Sequence, residues 1–119
     1  MRSLAIALSS TVLLLAATTA SPAATPKTLT AVDGPGFTIT LDQRTKPVKL
    51  LTPGQYIVVV NDRSSIHNFH LTGPGVNKKT GVAAVGKFVW RLTLRKGTYT
   101  FVCDPHATIM KGKFIVQTP

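Results

Sequence analysis

Residues 97–103 read GTYTFVC, and DPHATIM follows directly at 104–110. Within the first stretch, Tyr99, Phe101 and Cys103 alternate with two threonines and a valine. Alternation with a period of two is typical of a β-strand that buries one face and exposes the other. The stretch therefore predicts a core strand that ends at Cys103 and continues into a short loop.

Similar patterns extend over the rest of the chain. Gly and Pro interrupt it about every ten residues, and the segments between them are rich in Val, Ile, Thr, Phe and Tyr, as strands are. We predict strands at 28–32, 36–41, 47–50, 55–61, 66–72, 87–94, 98–103 and 112–117. Short strands at this spacing predict an all-β single domain, either a β-sandwich or a Greek-key barrel. The connection at 72–86 is predicted to be irregular, with room for a short strand, and to cross between sheets.

Two parts of the chain repeat one arrangement. In each, a Gly turn is followed two positions later by Tyr, then by a core strand, and then by a His, which is His67 in one part and His106 in the other. If both strands run in the same direction, their loops emerge at the same end of the sandwich. His67 would then lie close to Cys103 and His106, although it is far from them in sequence.

The loop after the core strand concentrates metal-binding side chains. Cys103, the only Cys of the chain, is followed by His106 and Met110. Two imidazoles, one thiolate and a weak axial thioether form the ligand set of a blue-copper electron-transfer site. Pro105 fixes a backbone angle and stiffens the turn. Taken singly, the thiol could be a small buried apolar group and the Met a core filler, but their proximity favours a metal site.

The second imidazole is supplied by His67 or by His70. Because the two lie three positions apart in an extended segment, their side chains are expected to point to opposite faces, so that only one is a ligand. We favour His67, which lies nearer the end of the loop and is followed by Asn68. His70 is then a solvent-facing or hydrogen-bonded residue.

These motifs resemble those of the cupredoxins, and most closely those of the plastocyanin-like small electron carriers. The layout agrees over residues 30–117, and the specific blocks are His67-Asn68, residues 96–103, Pro105-His106 and residues 110–116. The resemblance implies a cupredoxin-like Greek-key β-sandwich that binds copper and covers residues 28–119. It implies that one copper ion is held by His67, Cys103, His106 and Met110. It also implies that electrons pass through the edge of His106, exposed among apolar neighbours such as Pro35, Pro105 and Ala107.

Asp104 departs from the family pattern, in which Ser or Thr is common after the Cys. In the family, the Asn that follows the first His forms a hydrogen bond to this loop. We therefore expect the Asp104 carboxylate to accept a hydrogen bond from the Asn68 amide and to brace the two ligand loops. Its negative charge beside the thiolate is expected to favour Cu(II). The alternative is a solvent-exposed turn residue with neither role.

The first residues are typical of a targeting segment. Arg2 gives a positive start, a mostly apolar stretch covers residues 4–17, and small residues follow. This order is that of a secretory signal peptide, and the apolar part is short for a transmembrane span, which disfavours a retained anchor. We predict a signal peptide at 1–20, cleaved after Ala20 or a few residues later, up to Ala24. The mature protein is then expected to be periplasmic, on the cell surface or secreted, without a transmembrane segment.

The charge of the chain bears on its partners. Lys and Arg number 14 against four acidic residues, which gives a formal net charge of +10. This excess favours acidic redox partner proteins or an anionic cell surface, and the alternative is the ordinary solvated surface of a basic protein. Nucleic acid is the rival partner, but no helix-turn-helix, zinc-finger or RNA-binding motif is present in the sequence. We expect a monomer. No internal disulfide can form, because Cys103 has no second Cys to pair with.

Taken together, the sequence predicts an exported mononuclear type 1 copper protein that carries single electrons between redox partners. The alternative is a copper-binding protein for storage or delivery, which would use the same ligands, and zinc could also occupy such a site. An enzyme is not expected, because three His cannot build the additional copper centres of copper oxidases. A cysteine hydrolase built on Cys103 and His106 would lack an orienting group.

Overall fold

Ten strands and one 3₁₀ turn make up the regular structure of residues 12–119, the part of the chain that the computed structural model describes. The strands are β1 (Lys27–Asp33), β2 (Ile39–Gln43), β3 (Lys46–Pro47), β4 (Leu50–Leu51), β5 (Gly54–Asp62), β6 (His70–Gly73), β7 (Val76–Lys79), β8 (Gly86–Leu94), β9 (Gly97–Val102) and β10 (Lys111–Val116). The 3₁₀ turn, Asp104–His106, lies between β9 and β10.

The strands form two five-stranded sheets. The first sheet has the order β3-β2-β1-β5-β8, and the second has the order β4-β10-β9-β6-β7. Neighbouring strands are antiparallel except for β1 with β5 and β4 with β10, which are parallel. The prediction of an all-β, single-domain β-sandwich is confirmed, with two more strands than the sequence indicated.

Inward-facing side chains of both sheets fill the space between them. Tyr56 and Val60 of β5 are buried in the first sheet, and Tyr99 and Phe101 of β9 are buried in the second. The ring of Phe101 stacks on Phe69, with centroids 5.6 Å apart. Because burying one large apolar side chain contributes about 1.5–3 kcal/mol, this core holds firmly the strand ends from which the loops leave.

The single strand predicted at 47–50 is wrong as one element. Pro47 ends β3 and Leu50 begins β4, and these two strands lie in different sheets. The Val48 N–H donates to the Leu41 carbonyl at 2.9 Å in the first sheet, and the Lys49 carbonyl accepts a 3.0 Å hydrogen bond from β10 in the second. The chain therefore changes sheet within two residues, at a point where Pro47 has no N–H to continue the first ladder.

The strand predicted at 66–72 is correct only from His70 onward, because residues 66–69 form a loop. The Phe69 N–H donates to the Thr80 hydroxyl at 3.0 Å, and the Asn68 N–H donates to the Cys103 sulfur at 3.5 Å. These backbone groups therefore contact side chains instead of a neighbouring strand. Beyond β6, the chain forms the additional strand β7 and then crosses to β8 in the first sheet.

The N-terminal part of the described chain contributes nothing to the sheets. Residues 12–26 contain no strand or helix and are almost all exposed. The predicted signal peptide at 1–20 falls partly on residues 1–11, which lie outside the described residues, so it stays a prediction. Over residues 12–119, no helix has the length and apolar character needed to cross a membrane.

Candidate metal centre

The loop between β9 and β10 folds back on itself. Its 3₁₀ turn includes Pro105, and the His106 N–H donates to the Cys103 carbonyl at 3.0 Å. At the far end, the Cys103 N–H donates to the Met110 carbonyl at 3.0 Å, and the Met110 N–H donates to the His106 carbonyl at 2.8 Å. These bonds return Met110 to the level of Cys103, and both side chains are completely buried.

The loop between β5 and β6 carries His67 at the same end of the sandwich. Polar contacts fix its base: Asp62 Oδ1 accepts from the Ser64 N–H at 3.1 Å, and Asp62 Oδ2 accepts from the Thr80 hydroxyl at 3.2 Å. Gly34, with φ of +67°, allows the turn after β1 to pack on this loop. A Cβ there would lie 2.9 Å from Ser64 Cβ and 3.1 Å from His67 Cδ2. Only Gly tolerates both the positive φ and this close approach.

Three donor atoms from the two loops converge. His67 Nδ1 lies 3.0 Å from His106 Nδ1 and 3.7 Å from Cys103 Sγ, and His106 Nδ1 lies 3.5 Å from the same sulfur. Within residues 12–119, this is the one group of three or more His, Cys, Asp or Glu side chains spaced to hold a metal ion. The structure thus brings His67 to Cys103 and His106, as the repeated strand-and-loop arrangement predicts.

The spacing of these atoms fits a small trigonal metal site. With metal–nitrogen bonds of about 2.0 Å and a metal–sulfur bond of about 2.3 Å, three donors in a plane around one ion lie about 3.5–3.7 Å apart. The two nitrogen–sulfur distances, 3.5 and 3.7 Å, agree with this value, and the nitrogen pair at 3.0 Å is somewhat closer. A thiolate, two imidazoles and a neighbouring buried thioether are the donor set that suits copper.

His70 does not join this cluster. It begins β6, opposite Lys79 of β7 and Val102 of β9. Its Nδ1 lies 2.8 Å from Asp104 Oδ1, and its Nε2 lies 2.6 Å from Asn77 Oδ1. The geometry therefore agrees with the choice of His67 for the metal and with the expectation that His70 is a hydrogen-bonded residue.

Asn68 connects the two loops in the way expected from the sequence. Its Nδ2 donates to Asp104 Oδ2 at 2.8 Å and to the Thr80 carbonyl at 3.2 Å, while its Oδ1 accepts from the Asp104 N–H at 2.7 Å. The backbone N–H of Asn68 also points at Cys103 Sγ, 3.5 Å away. The expected contact between the Asp104 carboxylate and the Asn68 amide is therefore present, and a second bond reinforces it.

His70 and Asp104 shift each other's pKa. Burial alone would lower the pKa of His70, but the hydrogen bonds to Asp104 and Asn77 and the charge of Asp104 outweigh it, so the pKa is raised. Burial alone would raise the pKa of Asp104, but the hydrogen bonds from His70 and Asn68 and the nearby positive charges lower it. Each group thus stabilises the charged form of the other.

Phe37 is a residue of the site that the sequence pattern does not indicate. Its ring meets the rings of His67 and His106 edge-on, with centroids 5.3 and 5.0 Å away, and it is 57% exposed. Pro35 was the apolar neighbour expected from this segment, but the ring contact is made two residues later. Ile66 and Ile109, on the two ligand loops, are also exposed. This end of the sandwich is therefore apolar around the edge of His106.

Known proteins of similar sequence or structure agree with a copper-binding family and with this fold. A family model described as copper binding proteins, plastocyanin/azurin family, matches residues 40–117. Among solved structures, reduced rusticyanin is similar at 23% identity and a TM-score of 0.58, over 80% of this chain and 83% of that one. Rusticyanin from Thiobacillus ferrooxidans is 24% identical with a TM-score of 0.56, over 78% of this chain and 79% of that one. An NMR structure of reduced rusticyanin is 26% identical with a TM-score of 0.51, over 76% of each chain. No curated protein matches the chain.

Proposed function

Because the chain belongs to the plastocyanin/azurin family of copper-binding proteins, we propose that it is an exported carrier of single electrons with one type 1 copper site. We assign the ligands as His67, Cys103 and His106, with Met110 as the weak axial ligand. Copper supplies one reversible electron by alternating between Cu(I) and Cu(II). No substrate is bound or turned over in this proposal.

The observation that carries the proposal is the triangle of His67 Nδ1, Cys103 Sγ and His106 Nδ1, whose atoms lie within 4.8 Å of one another, with His67 and Cys103 buried and His106 partly buried. The three side chains come from two loops that are hydrogen-bonded at their bases and to each other. Donors held in this way change position little when the charge at the centre changes, and a small rearrangement favours fast electron transfer.

The surroundings of His106 supply a route for the electron. Its Nδ1 faces the other two donors, while its ring is only partly buried and contacts the exposed ring of Phe37. Ile66 is 53% exposed and Ile109 is 64% exposed on the two ligand loops. A partner that covers this apolar end would exclude water and bring its own redox group close to the His106 ring.

Burial of the donors supports electron transfer over copper delivery. His67, Cys103 and Met110 are all completely buried. Transfer of copper to another protein requires that ligands of the acceptor reach the ion. Because these three side chains are buried, an acceptor could approach the ion only from the side of His106. We therefore propose the carrier role ahead of the storage or delivery role.

Export, partners and assembly complete the proposal. The signal-peptide pattern at the N-terminus supports an extracytoplasmic protein, where a bound metal would protect the lone Cys103 from oxidation. The formal net charge of +10 supports acidic redox partners, whose association should weaken as salt is added. We propose a monomer in which residues 28–119 form the copper-binding domain.

Adding Cu(II) to the purified protein tests the copper site. We expect an intense visible absorption from thiolate-to-copper charge transfer, and we expect Cys103→Ser to abolish it, because a serine hydroxyl cannot donate this transition. Absorption spectroscopy and electron paramagnetic resonance of both proteins provide the measurement. A colourless wild-type protein, or a coloured Cys103→Ser variant, would contradict the assignment.

A matched pair of variants tests the choice between the two histidines. His67→Asn removes a donor atom of the triangle, so the absorption should be lost or strongly shifted. His70→Asn removes an imidazole three positions away that does not face the triangle, so the absorption should persist. Loss of the band in the His70 variant alone would reverse the assignment.

Asp104→Ser should raise the reduction potential, because it removes a negative charge beside the sulfur that favours Cu(II). The side chain of Asp104 is 41% exposed and is paired with His70, so water and His70 weaken its effect. We expect an increase of roughly 10–50 mV, where about 59 mV corresponds to a tenfold change for one electron. Spectroelectrochemistry at fixed pH measures it. An unchanged or lower potential would contradict the electrostatic role of Asp104.

A further inference from the structure

His70 has a more specific environment than its position outside the metal cluster would require. Its side chain is only 19% exposed, and both ring nitrogens contact side-chain oxygen atoms, Asp104 Oδ1 at 2.8 Å and Asn77 Oδ1 at 2.6 Å. The contacted atoms belong to different parts of the second sheet: Asn77 lies on β7, and Asp104 lies in the loop that follows β9. The ring therefore spans from a strand to the loop that carries Cys103 and His106.

We propose that His70 is a positioning residue for the copper loop, which it ties to β7 by linking Asp104 to Asn77. The expected effect of His70 on the reduction potential rests on the proposed function. The link between Asp104 and Asn77 is a property of the protein without metal. Both ring nitrogens face oxygen atoms, so the ring donates both hydrogen bonds when each nitrogen carries a proton.

The link acts on the loop because both carboxylate oxygens and the N–H of Asp104 are engaged. One carboxylate oxygen accepts from His70 and the other from Asn68, and the Asp104 N–H donates to Asn68 Oδ1. Asp104 is the residue directly after Cys103 and lies in the 3₁₀ turn that ends at His106. Without His70 the carboxylate can rotate, and its bond to Asn68, which joins the two ligand loops, becomes less well oriented.

When His70 is protonated, the same contact places a positive charge next to the one negative charge of the loop. Lys79, opposite His70 on β7, adds to this field, but it forms no hydrogen bond or salt bridge with Asp104 within residues 12–119. When His70 is replaced by a neutral residue, less positive charge offsets the effect of the Asp104 carboxylate on the metal centre. The oxidised state is then favoured, which is opposite in sign to the effect expected for Asp104→Ser.

Two neutral variants separate charge from position. The side-chain amide of Asn can occupy the place of Nδ1 and keep the bond to Asp104, whereas the amide of Gln reaches the place of Nε2 and keeps only the bond to Asn77. In the copper-loaded protein, His70→Gln should raise the ratio of oxidised to reduced protein at a fixed ambient potential by about two- to fivefold, the range of a partly exposed ion pair. His70→Asn should give a smaller change.

Two controls test whether the effect passes through Asp104. Lys113→Gln removes one positive charge from β10 at a position opposite Thr100, and it should leave the ratio unchanged. In an Asp104→Ser background, His70→Gln should also have no effect, because the contact through which it acts is gone. An equal effect of His70→Gln with and without Asp104, or no effect in either background, would overturn the proposal.

Hydrogen exchange of the copper-free protein tests the link without any redox reaction. The Asp104 amide, bonded to Asn68 Oδ1, should exchange about two- to fivefold faster in His70→Gln than in the wild type if the link is worth as much as a partly exposed ion pair. An unchanged rate would overturn the positioning role even in a protein that binds copper normally. If the wild type instead fails to develop the blue absorption, the proposed function fails, while the exchange result still decides whether the link exists.

Discussion

Copper at a free concentration about a thousand times its dissociation constant should raise the midpoint of thermal unfolding by roughly 15–30 °C. That excess of ligand stabilises the native state by about 4.1 kcal/mol when the unfolded chain does not bind. In a domain of this size, each kcal/mol moves the midpoint by about 4–8 °C. The physical reason is that His67 and Cys103 meet only in the folded chain, where they line one centre with His106.

Calorimetry of the copper-free and copper-loaded protein provides the measurement. Cys103→Ser is the matched control, because it removes one donor from the centre and should unfold at nearly the same temperature with and without copper. A wild-type shift of only a few degrees would contradict the prediction. So would an equal shift in the variant, because the stabilisation would then come from copper bound elsewhere.

The strands that the sequence predicted well are those whose pattern is set by their own burial. Residues 98–103 were predicted and β9 covers Gly97–Val102, and residues 87–94 were predicted where β8 covers Gly86–Leu94. The segment 47–50 could not be predicted as two strands, because its division depends on partners in β2 and β10 that are distant in sequence. In these places local propensity is overridden by long-range pairing.

The candidate site was predictable to the extent that its residues are close together in the chain. Cys103, His106 and Met110 lie within one loop, so their spacing alone indicated a metal. His67 needed the additional argument that two similar strands end at the same side. Phe37 gave no signal, because a lone aromatic residue in a Gly-rich turn acquires a role only through contacts with His67 and His106. The link from His70 to Asn77 likewise depends on the pairing of β6 with β7.

Asp33 and Asp62 form a buried pair of carboxyl groups between the first two long strands of the first sheet. They lie directly opposite each other at the ends of the parallel strands β1 and β5, and both are almost completely buried. Neither carboxylate oxygen of Asp33 has a hydrogen-bond partner among residues 12–119. Burial, and then the neighbouring carboxylate of Asp62, raise the pKa of Asp33 to about 7. A buried anion next to another is costly, so the folded protein favours a proton on Asp33.

The copper-free protein should therefore lose stability as the pH rises from about 4 to about 7. Below an unfolded-state pKa of about 3.9, Asp33 is protonated in both states and its effect on the free energy of unfolding is at its most favourable. Above that pH the unfolded chain releases the proton while the folded chain retains it up to about pH 7. Each pH unit in this window costs about 1.4 kcal/mol, so the total loss is on the order of 4 kcal/mol.

Urea unfolding of the wild type and Asp33→Asn from pH 4 to pH 8.5 isolates this effect, because other titrating groups, including His70, are common to both proteins and cancel in the difference. Asp33→Asn should become the more stable of the two by pH 7, since its amide stays neutral and can donate to Asp62. Asp42→Asn, on the neighbouring strand β2, should keep the slope of the wild type. A wild type whose stability relative to Asp33→Asn does not change with pH would show that Asp33 ionises normally.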